Sequence, residues 1–355
     1  MKNKDGVFAI VGVSTNVIED VQFVARSFDE VRSKLVPNLI DDDLIKDNLL
    51  MQTYNAFTNG AEEIHISALC EPTDKYIDDY TVADKISKTI LELRGNDDIK
   101  FICVTDQLFD IGINRLLDKV NTAIGDPFLI IERPVFTNDV NNIRFDVKIK
   151  RLDTNTVICA GFGLFGFGSS SGKIIKFNAN ASGALCGILS KSPVSRSAGY
   201  VRYNRIDNMF DIGFSVHRSV YDTSAFNSDM IEILDCHQLV TVRSITGLSG
   251  FYITYDHVFN RGDSNEYKSI RTMRTMNKLI GIVKSKMKEI DDDSIKSYSD
   301  KELNDLIYFA AHDMVNDKEV SDISFGYHNV DDKREIVVNM IPRFAARTIS
   351  TTIKF

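Results

Sequence analysis

The chain has 355 residues, 43% of them hydrophobic and 26% charged, with a formal net charge of −8. That length can bury a large core and allows two or three structural units, and the acidic balance argues against free nucleic acid as a partner, which needs clustered cations. No stretch approaches a membrane span, residues 7–13 are too short for a signal peptide, and the five scattered cysteines read as free thiols, so the sequence reads as cytoplasmic, with no membrane insertion.

The first third alternates strand and helix. Residues 7–13 are apolar on both sides, as a central strand is. Ser27 with Glu30 has the spacing of a capping box for a short helix ending near Pro37. Asp41, Asp42 and Asp43 open one helix that carries Leu44, Ile45, Leu49 and Tyr54 at helical spacing and closes at Asn59-Gly60. A strand over 63–70 is followed by a helix capped by Thr81 and stopped by Gly95. Residues 99–104 form a strand, 108–124 a helix with Ile113, Leu116, Leu117 and Val120 on one side, and 128–131 a strand ahead of Pro134. Strands and helices in this order, with short connections, predict right-handed crossovers and a mostly parallel sheet.

The middle of the chain changes character. Residues 143–150 alternate with period two, 153–155 turn and 156–167 return, which predicts a hairpin. A small-residue apolar run covers 181–189, further strands lie in 239–255, and 267–289 is the longest helix. A polar linker over 291–299 leads to a helix over 301–315 capped by Ser299 and Glu302, and strands over 335–341 and 348–355 end the chain. The predicted fold class is α/β: a mostly parallel sheet flanked by helices, a more β-rich second half and an extended C-terminal strand arm. Its expected parts are a core over 1–135, a β-rich insertion and second core part over 136–330, and C-terminal strands over 331–355.

Motifs for catalysis are weak. Gly161, Gly163 and Gly166 match G-x-G-x-x-G, but Gly168-Ser-Ser-Ser-Gly172 follows where a dinucleotide site needs a helix, and no acid stands about 20 residues on. The match reads as a glycine-aromatic strand and turn. Gly172-Lys173 lacks the spacing and the hydroxyl residue of a P-loop. The six histidines show no paired-ligand spacing, and the aspartate runs mark solvated helix ends and linkers. The expectation is a structural protein with no catalytic, cofactor or metal site. A doubly wound cofactor-binding enzyme is the main alternative.

The long helix carries two stripes. Met273, Met276, Ile280, Val283 and Met287 share one side, and Arg271, Arg274 and Lys278 share the opposite side. Those cations read either as a solvated face or as a basic rail against an acidic protein surface. At the C-terminus Ile349, Thr351, Ile353 and Phe355 share one side of a strand whose partner is either residues 335–341, folded back through Pro342, or another subunit.

The order of these pieces resembles the sheath subunit of contractile phage tails and related contractile injection systems. Residues 6–14 are similar to the family's first core strand, Ser27-Phe-Asp-Glu30 to its following helix, and Tyr54 to Ile66 to its helix ending in an Asn-Gly turn. Gly247-Leu-Ser-Gly-Phe-Tyr-Ile-Thr254 with Tyr267 to Arg274 is similar to its glycine-rich strand and arginine-bearing helix, and Ile349 to Phe355 to its C-terminal extension strand. The resemblance implies hexameric rings stacked helically around an inner tail tube, with baseplate and tail terminator proteins as further partners, in a virion tail or phage-like particle assembled in the host cytoplasm. It implies that the helix bearing Arg271, Arg274 and Lys278 lies toward the tube, and that Ile349, Thr351, Ile353 and Phe355 belong to an intersubunit strand. The family carries an N-terminal arm ahead of the first core strand, which here begins at about residue 6, so the expectation is either an arm that is missing or processed or a different ring-to-ring linkage. The alternative within the same setting is a non-contractile phage tail assembly protein.

Overall fold

The computed structural model describes residues 4–71, 79–106, 108, 110–120, 125–133, 155–216, 220–222, 228–259, 269–290, 298–330, 333–343 and 348–354. A six-stranded sheet organises the first half. Its strands are β1 (Phe8–Ser14), β2 (Val21–Ala25), β3 (Ile64–Cys70), β4 (Phe101–Val104), β5 (Phe128–Glu132) and β6 (Thr156–Cys159), in the order β2-β3-β1-β4-β5-β6. Every pairing is parallel except β2 with β3, which is antiparallel. The apolar run around β1 lies inside the sheet, between β3 and β4, as its two-sided hydrophobicity predicts.

Helices cover both faces. Phe8, Ile10, Ile64, Ile66, Phe101 and Phe128 pack on one side with α1 (Phe28–Leu35), α3 (Asn48–Thr58) and α6 (Ser182–Lys191). Ala9, Val11, Ile102, Val104, Leu129 and Ile131 pack on the other with α4 (Asp79–Leu93) and α5 (Asp110–Val120). Phe8, Phe101 and Phe128 are in register on adjacent strands and stack with centroids 4.7 and 5.1 Å apart.

Several expectations are corrected. The single helix opened by Asp41 is two: a short α2 (Asp41–Leu44), then α3, which starts afresh because the Asp47 carboxylate accepts from Leu50 N at 3.1 Å. Thr81 lies inside α4 rather than at its cap. At α1 the Ser27 hydroxyl accepts from Glu30 N, but the Glu30 carboxylate reaches back to Arg26 N, so the reciprocal bond is shifted by one residue. Strand β2 lies in a stretch where the sequence shows no strand of its own, because its alternating exposure is that of a short edge.

The returning strand of the predicted hairpin, over 156–167, does not form as one strand. Thr156–Cys159 joins the first sheet parallel to β5, and the chain then crosses at Ala160-Gly161 into β7 (Phe162–Gly168) of a second, antiparallel sheet. Residues 143–150, the other expected strand, fall outside the described residues. That second sheet has the order β11-β10-β7-β8, with β8 (Ile174–Asn180), β10 (Met209–Val216) and β11 (Val220–Asp222). The glycine motif is the strand and turn expected of it. The run over 181–189 is helix α6.

A small sheet of β9 (Arg205–Ile206), β12 (Val242–Ser244) and β13 (Phe251–Ile253) follows, with α7 (Ser228–Cys236) between its strands in sequence. The last core is built from α8 (Ile270–Lys288), α9 (Asp300–Asn316) and the antiparallel sheet β14 (Val320–Val330), β15 (Lys333–Pro342) and β16 (Ile349–Lys354). Ser299 and Glu302 form the full reciprocal capping box of α9.

Candidate functional site

In a doubly wound sheet a ligand binds beyond the carboxyl ends of the strands, where the chain first turns to opposite sides. Here that place lies between β1 and β4, and side chains of the protein fill it. A Cβ on Gly12 would meet Thr105 Oγ1 at 2.1 Å. Asp106 accepts from Val13 N at 2.9 Å, and Asp47 accepts from Ser14 Oγ at 2.5 Å and Asn16 Nδ2 at 2.8 Å. Asn48 donates to Glu132 Oε2 at 2.9 Å and to the Thr105 carbonyl. The Ser182 hydroxyl donates to Glu132 Oε1 at 2.5 Å.

Two of these carboxylates sit at helix starts, Asp47 at α3 and Glu132 beside Ser182, the first residue of α6. The positive helix ends that would hold a phosphate therefore face the chain's own acids. Glu132 is wholly buried, and desolvation pushes its carboxyl up to about 8, with the negative charge of Asp106 adding to the rise. A neutral Glu132 linking α3 and α6 to the end of β5 is a packing element. The described residues hold no cluster of three or more histidine, cysteine or acidic side chains placed to bind a metal.

The basic stripe of α8 turns inward. Arg274 is 4% exposed, and its Nη2 donates to the carbonyls of Leu189 at 2.8 Å and Ser192 at 3.2 Å, at the C-terminal end of α6. Burial pulls its guanidinium down to about 10, against the attraction of Asp256, Asp5 and Glu319. Lys278 sits between Asp5 at 2.9 Å and Glu319 at 2.8 Å. It fastens the turn ahead of β1 to the start of β14. Arg271 keeps 38% of its side chain exposed, with Nε 3.8 Å from Asp256, whose carboxyl burial pushes up to about 6. An exposed basic rail of Arg271, Arg274 and Lys278 is thus corrected: two of the three cations hold the molecule's own parts together. The periodicity separated the stripes but could not tell that Arg274 and Lys278 are covered.

The C-terminal strand is likewise paired within the chain. Residues Ile349 to Lys354 of β16 run antiparallel to Met340 to Glu335 of β15, and Ile349 and Ile353 are buried in the last core. Thr351 stands opposite Val338, and Phe355 lies outside the described residues. Strand β16 is the edge of its sheet, with one side open among the described residues.

Two exposed features escaped the sequence reading. On α9, Glu302, Asp305, Leu306, Phe309 and Asp313 are all exposed and spaced i, i+3, i+4, i+7 and i+11, with Phe309 85% exposed. Between α6 and β9, Tyr200 and Tyr203 are 44% and 51% exposed, and Arg196 and Arg202 lie over their rings. The first has a legible signal, one apolar residue at the centre of an acidic helical stripe. The second has none beyond Arg and Tyr occurring close together.

The whole arrangement, from β1 through the C-terminal sheet, is the fold of contractile sheath subunits. The helical sheath of the anti-feeding prophage in its contracted state superimposes with a TM-score of 0.66 at 12% identity, covering 98% of this chain and 93% of that one. A sheath tail protein of Desulfitobacterium hafniense matches with a TM-score of 0.63 at 10% identity, over 99% and 96% of the two chains. A chain of the anti-feeding prophage baseplate matches with a TM-score of 0.68 at 11% identity, over 98% and 92%. No family's sequence model matches the chain, and no curated protein matches it in sequence.

Proposed function

We propose that this chain is the structural subunit of a contractile tail sheath, polymerising as stacked hexameric rings around an inner tube and shortening to drive that tube through a cell envelope. The observation that carries the reading is the fold match, which runs along nearly the whole of both chains and includes a sheath described in its contracted state. The sequence resemblance, made from separate motifs, points the same way. The filled end of the parallel sheet speaks against the cofactor-binding alternative, because a phosphate there would meet the carboxylates of Asp47 and Asp106 and a place already occupied by the Glu132 side chain.

Partners follow from the same reading: further copies of the chain, an inner tube, and baseplate and tail terminator proteins, in a virion tail or phage-like particle. No helix among the described residues is long and apolar enough to cross a membrane. Of the three cations expected to face the tube, Arg271 is the one whose position leaves it able to do so. Strand β16 is proposed to use its open edge for a neighbouring subunit's strand while its other edge stays on β15.

Negative-stain microscopy of the concentrated protein, alone and co-expressed with a tube protein from the same gene cluster, tests the reading. Striated cylinders or rings with sixfold symmetry are expected, and a monodisperse monomer under both conditions would overturn it. Removing residues 349–355 tests the strand separately. Since Ile349 and Ile353 are core residues, lower thermal stability is expected together with lost assembly. Cylinders built by the truncated chain would refute the intersubunit role.

A further inference from the structure

The two exposed features described above are complementary in charge and in shape. On α9, Leu306 and Phe309 form an apolar centre, 37% and 85% exposed, bordered by Glu302, Asp305 and Asp313. A helix fixed by a full capping box holds them, and the stripe from Glu302 to Asp313 runs for roughly 16 Å at 1.5 Å per residue. Between α6 and β9, Arg196 and Arg202 lie 4.9 and 5.4 Å from the centre of the Tyr203 ring, and the Tyr200 and Tyr203 rings are 5.6 Å apart. Guanidinium groups stacked on rings keep their in-plane N–H donors for carboxylates. No acidic side chain among the described residues pairs with Arg196 or Arg202.

That loop is rigid. Asn204 is buried and donates to the carbonyls of Ser197 at 2.9 Å and Ala198 at 3.2 Å, while Tyr203 N donates to Tyr200 O at 3.2 Å. Rings held by stacked guanidinium groups lose little freedom on docking, and Tyr and Arg are the residue types that dominate interface energy. Phe309, 85% exposed on a capped helix beside Leu306, has the properties of an anchor for such a surface.

We propose that the occupant of the α9 stripe is a second copy of this chain: Phe309 and its carboxylate border dock on the neighbour's Arg196, Tyr200, Arg202 and Tyr203. The chain carries −8 overall, so two copies repel except where a local cluster of cations meets one of carboxylates, which this pairing provides. The two surfaces are different patches, so the contact is head-to-tail and repeats from copy to copy, giving a ring if it closes and a helix if it does not. The inference rests on the sheath reading, and it names which surfaces of the subunit meet.

The test uses two variants of the full chain, one altered on each surface: R196E/R202E, and F309S/D305R. All these positions are at or near the surface, and circular dichroism melts are expected to match wild type. Each variant alone should raise the protein concentration needed for assembly by roughly tenfold or more. Mixed, the two should form a heterodimer that goes no further, because the first keeps its α9 stripe and the second keeps its loop, while the altered loop and altered stripe meet without the Phe309 anchor. A chain carrying R202E with D305R should recover part of the lost assembly.

Wild-type cylinders together with unchanged assembly of both variants would overturn this inference and leave the sheath reading standing. Wild-type protein that forms no cylinders, while the mixed variants still make the capped heterodimer, would instead remove the sheath reading and keep the interface. If F309S/D305R assembles normally but no longer binds a co-expressed tube protein, α9 serves that other partner and the inference fails. If a variant proves misfolded, F309S and R202E taken singly give the same readout with one surface change each.

Discussion

Glu132 and Arg274 are both charged residue types held in the interior, and each makes a measurable statement about stability. Below its ordinary value of 4.5, the Glu132 carboxyl is protonated in folded and unfolded chains alike. From there up to about 8 the unfolded chain releases a proton that the folded chain keeps, so stability falls as pH rises, by up to about 1.4 kcal/mol per pH unit. Asp256, pushed up to about 6, adds a loss of the same sign at lower pH. Between pH 6 and 8, therefore, Glu132→Gln should flatten the decline of melting temperature expected of wild type; parallel profiles would show that the carboxyl ionises without cost. Arg274→Met leaves the Leu189 and Ser192 carbonyls without their charged donor and should cost about 2–4 kcal/mol in chemical denaturation. A variant as stable as wild type would mean that the guanidinium contributes nothing net. Capping residues such as Ser299 were legible because their partners lie three residues away. Glu132 and Arg274 were not, because burial is decided by segments remote in sequence.

At the level of elements, helix α6 shows why its sequence looked featureless. Its glycines face α3 so closely that a Cβ on Gly183 would stand 2.2 Å from Gln52 O, and one on Gly187 2.3 Å from Ala56 O. Alanine is the better helix former by about 0.5–1 kcal/mol, yet overpacking against backbone costs about 1–3 kcal/mol. Gly187→Ala should therefore lower the unfolding free energy despite its higher helix propensity. Unchanged or increased stability would show that the two helices separate easily. Strands β1, β3, β4 and β5 and helices α1, α4, α5, α8 and α9 were readable from period and caps, with boundaries off by a few residues. The break between α2 and α3 and the crossing from β6 to β7 were hidden, since nothing in the local pattern marks which sheet a strand joins.

For the molecule as a whole, the doubly wound sheet invites comparison with nucleotide-binding proteins, while Asp47 and Asp106 stand at its switch point where a phosphate would have to sit. A ligand at a hundred times its dissociation constant would add about 2.7 kcal/mol to stability. Adding ATP, NAD or FMN should leave the melting temperature unchanged, and a reproducible rise with any of them would reopen the cofactor reading.

Alternation of strand and helix, the two-sided apolar strands, the Ser27 cap and the Ser299/Glu302 capping box were determined by the sequence alone, because each depends on neighbours within a turn or two. Only the tertiary structure decided that Arg274 and Lys278 of α8 point inward. Arg274 finds its acceptors 85 and 82 residues away, and Lys278 bridges Asp5 near the start of the chain to Glu319. The same holds for β16, whose alternation fits either of two partners and whose register with β15 was fixed by the core that buries Ile349 and Ile353. Periodicity reports which residues share a face, and what covers that face is set by packing across the whole chain.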